Sequence, residues 1–274
     1  MEIKILVFVA FIATGGNAHG AVDLDALARN ATIGASTPTE KVKAAVSWTH
    51  AHMSWTSTDY EQRTVERIVE RNGGNCNEQA LVVQDILGRV GVKSRRVKEI
   101  NIQPRSEERK QTADALVAKK GMQLSVFGLL HNDHVWIEYW DNLSGEWQPA
   151  DPTIAVIGIG AWERARVSFV PRGKSDVIPL QDMLVPIGVV ALTGDEARPF
   201  ENRTQHYLIE GFAKYVMYAD KSPQWPRWVQ EITAEQTHIE GAFAGRYNLG
   251  ADDGAIDQLR QTYENMKNWS NAKF

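Results

Sequence analysis

From Thr39 the chain repeats apolar residues with a helical period: Val42, Ala45, Val46, Thr49 and Met53 recur three or four positions apart, predicting a half-buried helix over Thr39–Trp55. Pro38 stands just before it, Thr39 can cap it, and Ser57-Thr58-Asp59 breaks it. A second short helix is predicted from about Gln62 to Arg71. The loop Asn72-Gly73-Gly74-Asn75 then leads into a third, Cys76 to about Arg89, whose stripe is Ala80, Val83, Ile86, Leu87 and Val90, with Gly91 as its stop. After Gly91 the period changes. Val92 to Ile102 has the β-branched content of a strand, and the charged stretch Pro104 to Lys120 reads as a surface excursion, partly helical around Ala113 to Val117.

Val126 to Trp140 leads into a strict alternation: His134, Trp136 and Glu138 point one way, Val135, Ile137 and Tyr139 the other. Asn142 and Gly145 mark a hairpin turn within Asp141–Glu146, and Trp147 through Thr153 supplies the return strand. The apolar stretches Ile154–Ala161 and Leu184–Leu192, punctuated by Gly and Pro, read as strands or turns packed on the core. Helical patterns follow over Arg203–Ala219, Trp228–Phe243 and Asp252–Trp269, with Pro223 and Pro226 ending one helix and opening the next. Their aromatics, Tyr207, Phe212, Tyr215, Tyr218, Trp225 and Trp228, read as a packing interior. The pattern is α+β.

The first twenty residues read as an export signal: Lys4, an apolar run from Ile5 to Ala13, then a small and polar stretch to Gly20, with cleavage expected after Ala18 or Gly20. That run is too short to span a bilayer, which takes about 20 residues, so the mature chain is expected to be exported, secreted or periplasmic, with no membrane span. Residues 21–38 read as a short pro-segment or tether. A chain of 274 residues with 43% hydrophobic content can bury a sizeable core, and a formal net charge of -4 offers no basic excess for nucleic acid. Four sequons, at Asn30, Asn142, Asn202 and Asn268, bear on modification only where the source glycosylates exported proteins.

Cys76 is the sole cysteine, so no internal disulfide can form. Its place at the start of a helix gives it a chemical use. Unpaired backbone N–H groups and the positive end of the helix dipole favour a thiolate, the nucleophilic form of sulfur, and can donate to an oxyanion forming on an attacked carbonyl. Gly73 and Gly74 let a substrate backbone come close. On the hairpin, His134 and Asp151 can lie side by side, a base that takes the thiol proton and an acid that fixes the tautomer. Neither His50 with His52 nor His131 with His134 has the companions a zinc site requires, and no metal or cofactor is expected.

Three blocks in this order resemble the transglutaminase-like superfamily of papain-related cysteine enzymes. They are Gly73-Gly74-Asn75-Cys76-Asn77-Glu78-Gln79-Ala80 running on to Arg95, His134-Val135-Trp136-Ile137-Glu138, and Trp147 through Asp151-Pro152-Thr153. The resemblance covers about Thr39 to Thr153 and implies a core in which a nucleophile helix packs on an antiparallel sheet. By that match Cys76 is the nucleophile, His134 the base and Asp151 the orienting acid. The family's upstream aromatic falls on Trp55, with Trp48 as the weaker candidate, and Trp55 and Asn75 are expected to line the substrate or oxyanion site.

The expected organisation is a leader (1–20), an N-terminal segment (21–38), a transglutaminase-like catalytic domain (39–194) and a helical extension (195–274) that could serve a protein partner. The expected activity is hydrolysis of amide bonds in peptides or proteins through a Cys thioester resolved by water. The alternatives are an amine-accepting acyltransferase and a non-catalytic binding protein that keeps the fold.

Overall fold

A computed structural model of the chain describes residues 22–56, 59, 61–104, 111, 115, 119, 131–167, 169, 185–194, 200–244, 246 and 253–273. The expected leader and nearly all of the expected excursion over 104–120 lie outside these residues. Helix α1 (Leu24–Ala31) occupies the segment read as a pro-segment or tether, and buries Ala28 and Ala31 in the core. Helix α2 (Pro38–His52) is capped by Thr37, not Thr39. Pro38 has no N–H to lose at the first helical position, and Glu40, three residues after Thr37, closes a capping box with it. The short strand β1 (Ser54–Trp55), helix α3 (Val65–Glu70) and strand β2 (Gly73–Gly74) lead to α4 (Cys76–Arg89), whose bounds are those expected. β1 and β2 pair in parallel, Ser54 with Gly73 and Trp55 with Gly74.

The main sheet is built from β3 (Ser94–Pro104), β4 (His131–Asp141), β5 (Glu146–Asp151), β6 (Val156–Ile157), β7 (Pro186–Leu192) and β8 (Phe200–Asn202). Its order is β6-β5-β4-β3-β7-β8, antiparallel at every pairing. Gly145, at φ +67°, supplies the left-handed residue that turns β4 into β5. Ile159–Arg166 forms a helix, α5, whose first three residues fall in the stretch read as strand or turn, Ile154–Ala161. Its buried positions are Ile159, Trp162, Glu163 and Arg166, so half of its inward face is charged and its helical period does not read as hydrophobic. A π-helix (His206–Gly211) runs into α6 (Phe212–Tyr215), and α7 (Trp225–Phe243) and α8 (Asp253–Lys273) follow. Pro226 sits in the first turn of α7, where its missing N–H costs nothing.

Two cores flank the sheet. On one face Val135, Ile137, Tyr139 and Ala150 pack against Val42, Ala45, Val46, Val82, Val83, Ile86 and Leu87 of α2 and α4. On the other, Val97, Trp136, Ile187 and Val189 pack against Trp162, Tyr207, Phe212, Trp228, Ile232, Ile239, Leu259 and Met266. The helices beyond residue 200 therefore share one continuous apolar cluster with the sheet. The molecule is a mixed α+β structure in which a helix bearing Cys76 packs on an antiparallel sheet, as expected, and the sheet lies between two helical layers, which the expectation of a C-terminal extension did not include. Among the described residues no helix is long and apolar enough to cross a membrane.

Candidate functional site

The N-terminus of α4 is tied down from four directions. Asn75 caps it, with Oδ1 accepting from the Glu78 N–H (3.0 Å) and its own N–H donating to Glu78 Oε2 (3.0 Å). The Gln79 side chain donates to the Gly74 carbonyl (3.0 Å), and the Thr56 N–H donates to the same oxygen (3.2 Å). Arg63 donates to Glu78 Oε1 (3.0 Å), with Arg71 3.8 Å from the same oxygen. Glu78 is buried, so its carboxylate is balanced on one side by these guanidinium groups and on the other by backbone N–H groups. The consequence is a fixed backbone for Cys76, the first residue of the helix, which is half-buried. Helix geometry leaves the N–H groups of Cys76 and Asn77 without intrahelical acceptors.

His134 and Asp151 come from β4 and β5. Nε2–H of His134 donates to Asp151 Oδ2 at 2.7 Å, and the Cys76 side chain is near enough to the imidazole to help raise its pKa. With Nε2 held by Asp151, Nδ1 is the ring nitrogen left for the sulfur. Asp151 is fully buried, and its other oxygen accepts from the Thr153 N–H (3.0 Å) and the Thr153 hydroxyl (2.6 Å). Burial of the imidazole opposes its charge, but the Asp151 carboxylate overrides this, and the His134 pKa is raised to about 10. Burial likewise opposes ionisation of Asp151, while His134 and Thr153 hold its carboxyl below the ordinary range. At neutral pH the pair is an imidazolium and a carboxylate.

The three residues Cys76, His134 and Asp151 are thus brought together. The remaining expected site residues have different surroundings. Trp55 is 64% exposed, and its backbone runs beside Gly74, two residues before Cys76. Asn75 is buried, and both its Oδ1 and its N–H are committed to Glu78. Trp48 stacks on His52 with ring centroids 4.8 Å apart. Nδ1–H of His50 donates to the Pro152 carbonyl (3.0 Å), joining α2 to the turn after Asp151.

Three contributors lie outside the expected set. Thr153 stands two residues after Asp151, a spacing at which a hydroxyl and N–H can both reach back to the carboxylate, so a signal was present. Glu99 and Arg166 form a buried ion pair beside His134, and nothing local in the sequence pointed to it. Among the described residues no group of His, Cys, Asp and Glu could hold a metal ion.

Residues 25–152, just under half of the chain, match the family model described as the transglutaminase-like superfamily. The matched residues include Cys76, His134 and Asp151. No match was found among curated proteins. Solved structures similar to this chain include a candidate cysteine protease from Cytophaga hutchinsonii (14% identity, 61% of this chain and 41% of that one, TM-score 0.36). Another is a candidate protease from Parabacteroides distasonis (12% identity, 47% and 23%, TM-score 0.33). A third is Rad4-Rad23 bound to a 6-4 photoproduct UV lesion (12% identity, 89% and 54%, TM-score 0.37). The chain covers less than two thirds of the length of each.

Proposed function

We propose that Cys76, His134 and Asp151 are a catalytic triad and that the protein is an exported cysteine enzyme acting on amide bonds of peptides or proteins. The observation that carries this reading is His134 hydrogen-bonded to a buried Asp151 and standing near a cysteine at a helix N-terminus. Sulfur of Cys76 attacks the carbonyl carbon, and its proton resides on His134. The oxyanion is met by N–H groups of the first turn of α4. His134 gives its proton to the departing amine nitrogen, the C–N bond breaks, and a thioester remains. Water then adds to the thioester as His134 takes a proton from it, releasing a carboxylic acid and restoring the thiol. Trp55, exposed beside the strand that leads to Cys76, is proposed to line the substrate path.

The test is labelling of the purified chain with iodoacetamide from pH 5 to 9, the site read by mass spectrometry, alongside amide hydrolysis with and without an added primary amine. Labelling of Cys76 that is fast at pH 6 and slowed by His134→Ala, with turnover abolished in a folded Cys76→Ala variant, is the expected result. Turnover that survives Cys76→Ala removes the nucleophile. Product carrying the added amine assigns the enzyme to acyl transfer. No turnover and slow labelling make it a binding protein of the same fold. Export is tested separately, by the N-terminal sequence of the chain recovered outside the cytoplasm, expected to begin after Ala18 or Gly20.

A further inference from the structure

Glu99 and Arg166 are an ion pair set inside the protein, with relative exposures of 0% and 5%. Glu99 lies on β3 directly opposite His134 of β4, and side chains so opposed have Cβ atoms about 4.5–5.5 Å apart on the same face. Arg166, the last residue of α5, reaches Glu99 Oε1 from the helical layer. Four charges therefore alternate through the interior: Arg166, Glu99, His134 and Asp151. An ion pair so placed carries a desolvation cost that its mutual attraction seldom more than offsets, so stability alone is a weak reason for it.

We propose that Glu99 is a positioning residue for the catalytic base, a second carboxylate that, from the side opposite Asp151, keeps His134 protonated and in place while Arg166 holds Glu99 in register. This rests on the reading of Cys76 and His134 as catalytic. Among the described residues the titratable and charged groups that face His134 are Asp151 from β5, Cys76 from α4, Glu99 from β3 and Arg166 from α5. Glu163, one turn before Arg166, is turned toward Gly211 instead. The two carboxylates differ. Burial pushes Glu99 above the ordinary carboxylate range, although Arg166 and His134 pull it back, whereas Asp151 is held below that range. On acidification Glu99 takes up a proton first, and the imidazolium then keeps Asp151 alone.

The experiment follows the ring nitrogens of His134 by NMR in the full chain labelled with 15N-histidine, assigned by their loss in His134→Ala, from pH 5 to 11. The wild-type midpoint is expected near 10. In Glu99→Gln a midpoint lower by about one pH unit or more is expected, because one nearby negative charge is removed while Arg166 remains. Glu99→Asp should recover part of the difference. An unchanged midpoint in folded Glu99→Gln overturns the proposal. Should that variant fail to fold, Glu99→Asp serves alone, since it draws the carboxylate back from His134 while Arg166 stays in place. There a midpoint below wild type supports the coupling and an unchanged one overturns it. A lowered midpoint in a protein without turnover would keep the charge coupling and remove the proposed activity. Turnover with an unmoved midpoint would do the reverse.

Discussion

Gly74 and Glu78 touch: a Cβ placed on Gly74 would lie 2.8 Å from the Cβ of Glu78, closer than real carbons approach. Glu78 is the residue whose carboxylate accepts from the Asn75 N–H, so the glycine and the cap are one unit that sets the position of Cys76. Gly74→Ala is expected to destabilise the protein by about 1–3 kcal/mol through overpacking. It should also slow iodoacetamide labelling of Cys76 more than the Gly88→Ala change, at a position where nothing lies within 4 Å of the added carbon. Equal labelling rates for the two variants would detach the glycine from the nucleophile.

Asp151→Asn removes the charge that holds His134 protonated. The folded-state pKa of His134 lies above its value in the unfolded chain, 6.5 against about 10. Its contribution to stability is therefore fully present below pH 6.5 and lost as the pH rises toward 10. The gap in melting temperature between wild type and Asp151→Asn should accordingly be widest near pH 6 and narrow by pH 10. Breaking a buried charge pair costs about 3–5 kcal/mol where the gap is widest. Turnover should fall by about 100-fold or more, since the imidazole loses the partner that fixes its tautomer. A gap that does not change with pH would contradict the ion pair.

Glu163 gives a dependence of opposite origin. It is fully buried, neither of its oxygens has a hydrogen-bond partner among the described residues, and burial pushes its carboxyl well above the ordinary range. The folded state keeps this proton where the unfolded chain has lost it, so stability falls as the pH rises above about 4.5. Glu163→Gln retains the shape without the titration. The variant should gain on wild type in thermal melts at pH 7.5, with little difference at pH 4.5. Loss of stability at both values would show that the carboxyl is ionised and matched.

Ending the chain at Gln224 should abolish cooperative folding. The deleted helices supply Trp228, Ile232, Ile239, Leu259 and Met266 to the core beneath the sheet. At about 1.5–3 kcal/mol for each buried large side chain, the loss reaches the whole of the 5–15 kcal/mol that stabilises an ordinary domain. A truncated chain that melts in one sharp transition would show that the helices are dispensable. A milder probe is Gly188→Ala, whose added carbon runs into Ile239 of α7 and should cost about 1–3 kcal/mol.

How much of this was legible in the sequence varies with how local the signal is. The bounds of α4 could be read, because Gly73-Gly74-Asn75 forms its entrance and Ala80, Val83, Ile86 and Leu87 its buried stripe. The alternation of Val135, Ile137 and Tyr139 gave β4, and Asn142 and Gly145 gave its turn. The meeting of His134 with Asp151 followed from that hairpin. Helix α5 escaped because Glu163 and Arg166 stand where apolar residues would have marked its inward face. Glu99 escaped for a different reason: its nearness to His134 is set by the register of β3 on β4, strands separated by a long stretch of chain. The helices after residue 200 were recognisable as helices, but that they share a core with the sheet depends on which faces meet, and the order of residues does not encode that directly.

The alternation along β4 sets His134 on the same face as Trp136, whose ring stacks near it at 5.8 Å, and that face belongs to the layer holding α5, α7 and α8. Cys76 belongs to the layer on the other side, with α2 and α4. Sulfur and imidazole are thus contributed by opposite halves of the molecule and meet only when both have closed on the sheet. The meeting of sulfur and imidazole therefore depends on both layers being in place, so a change that loosens either one should reach the site.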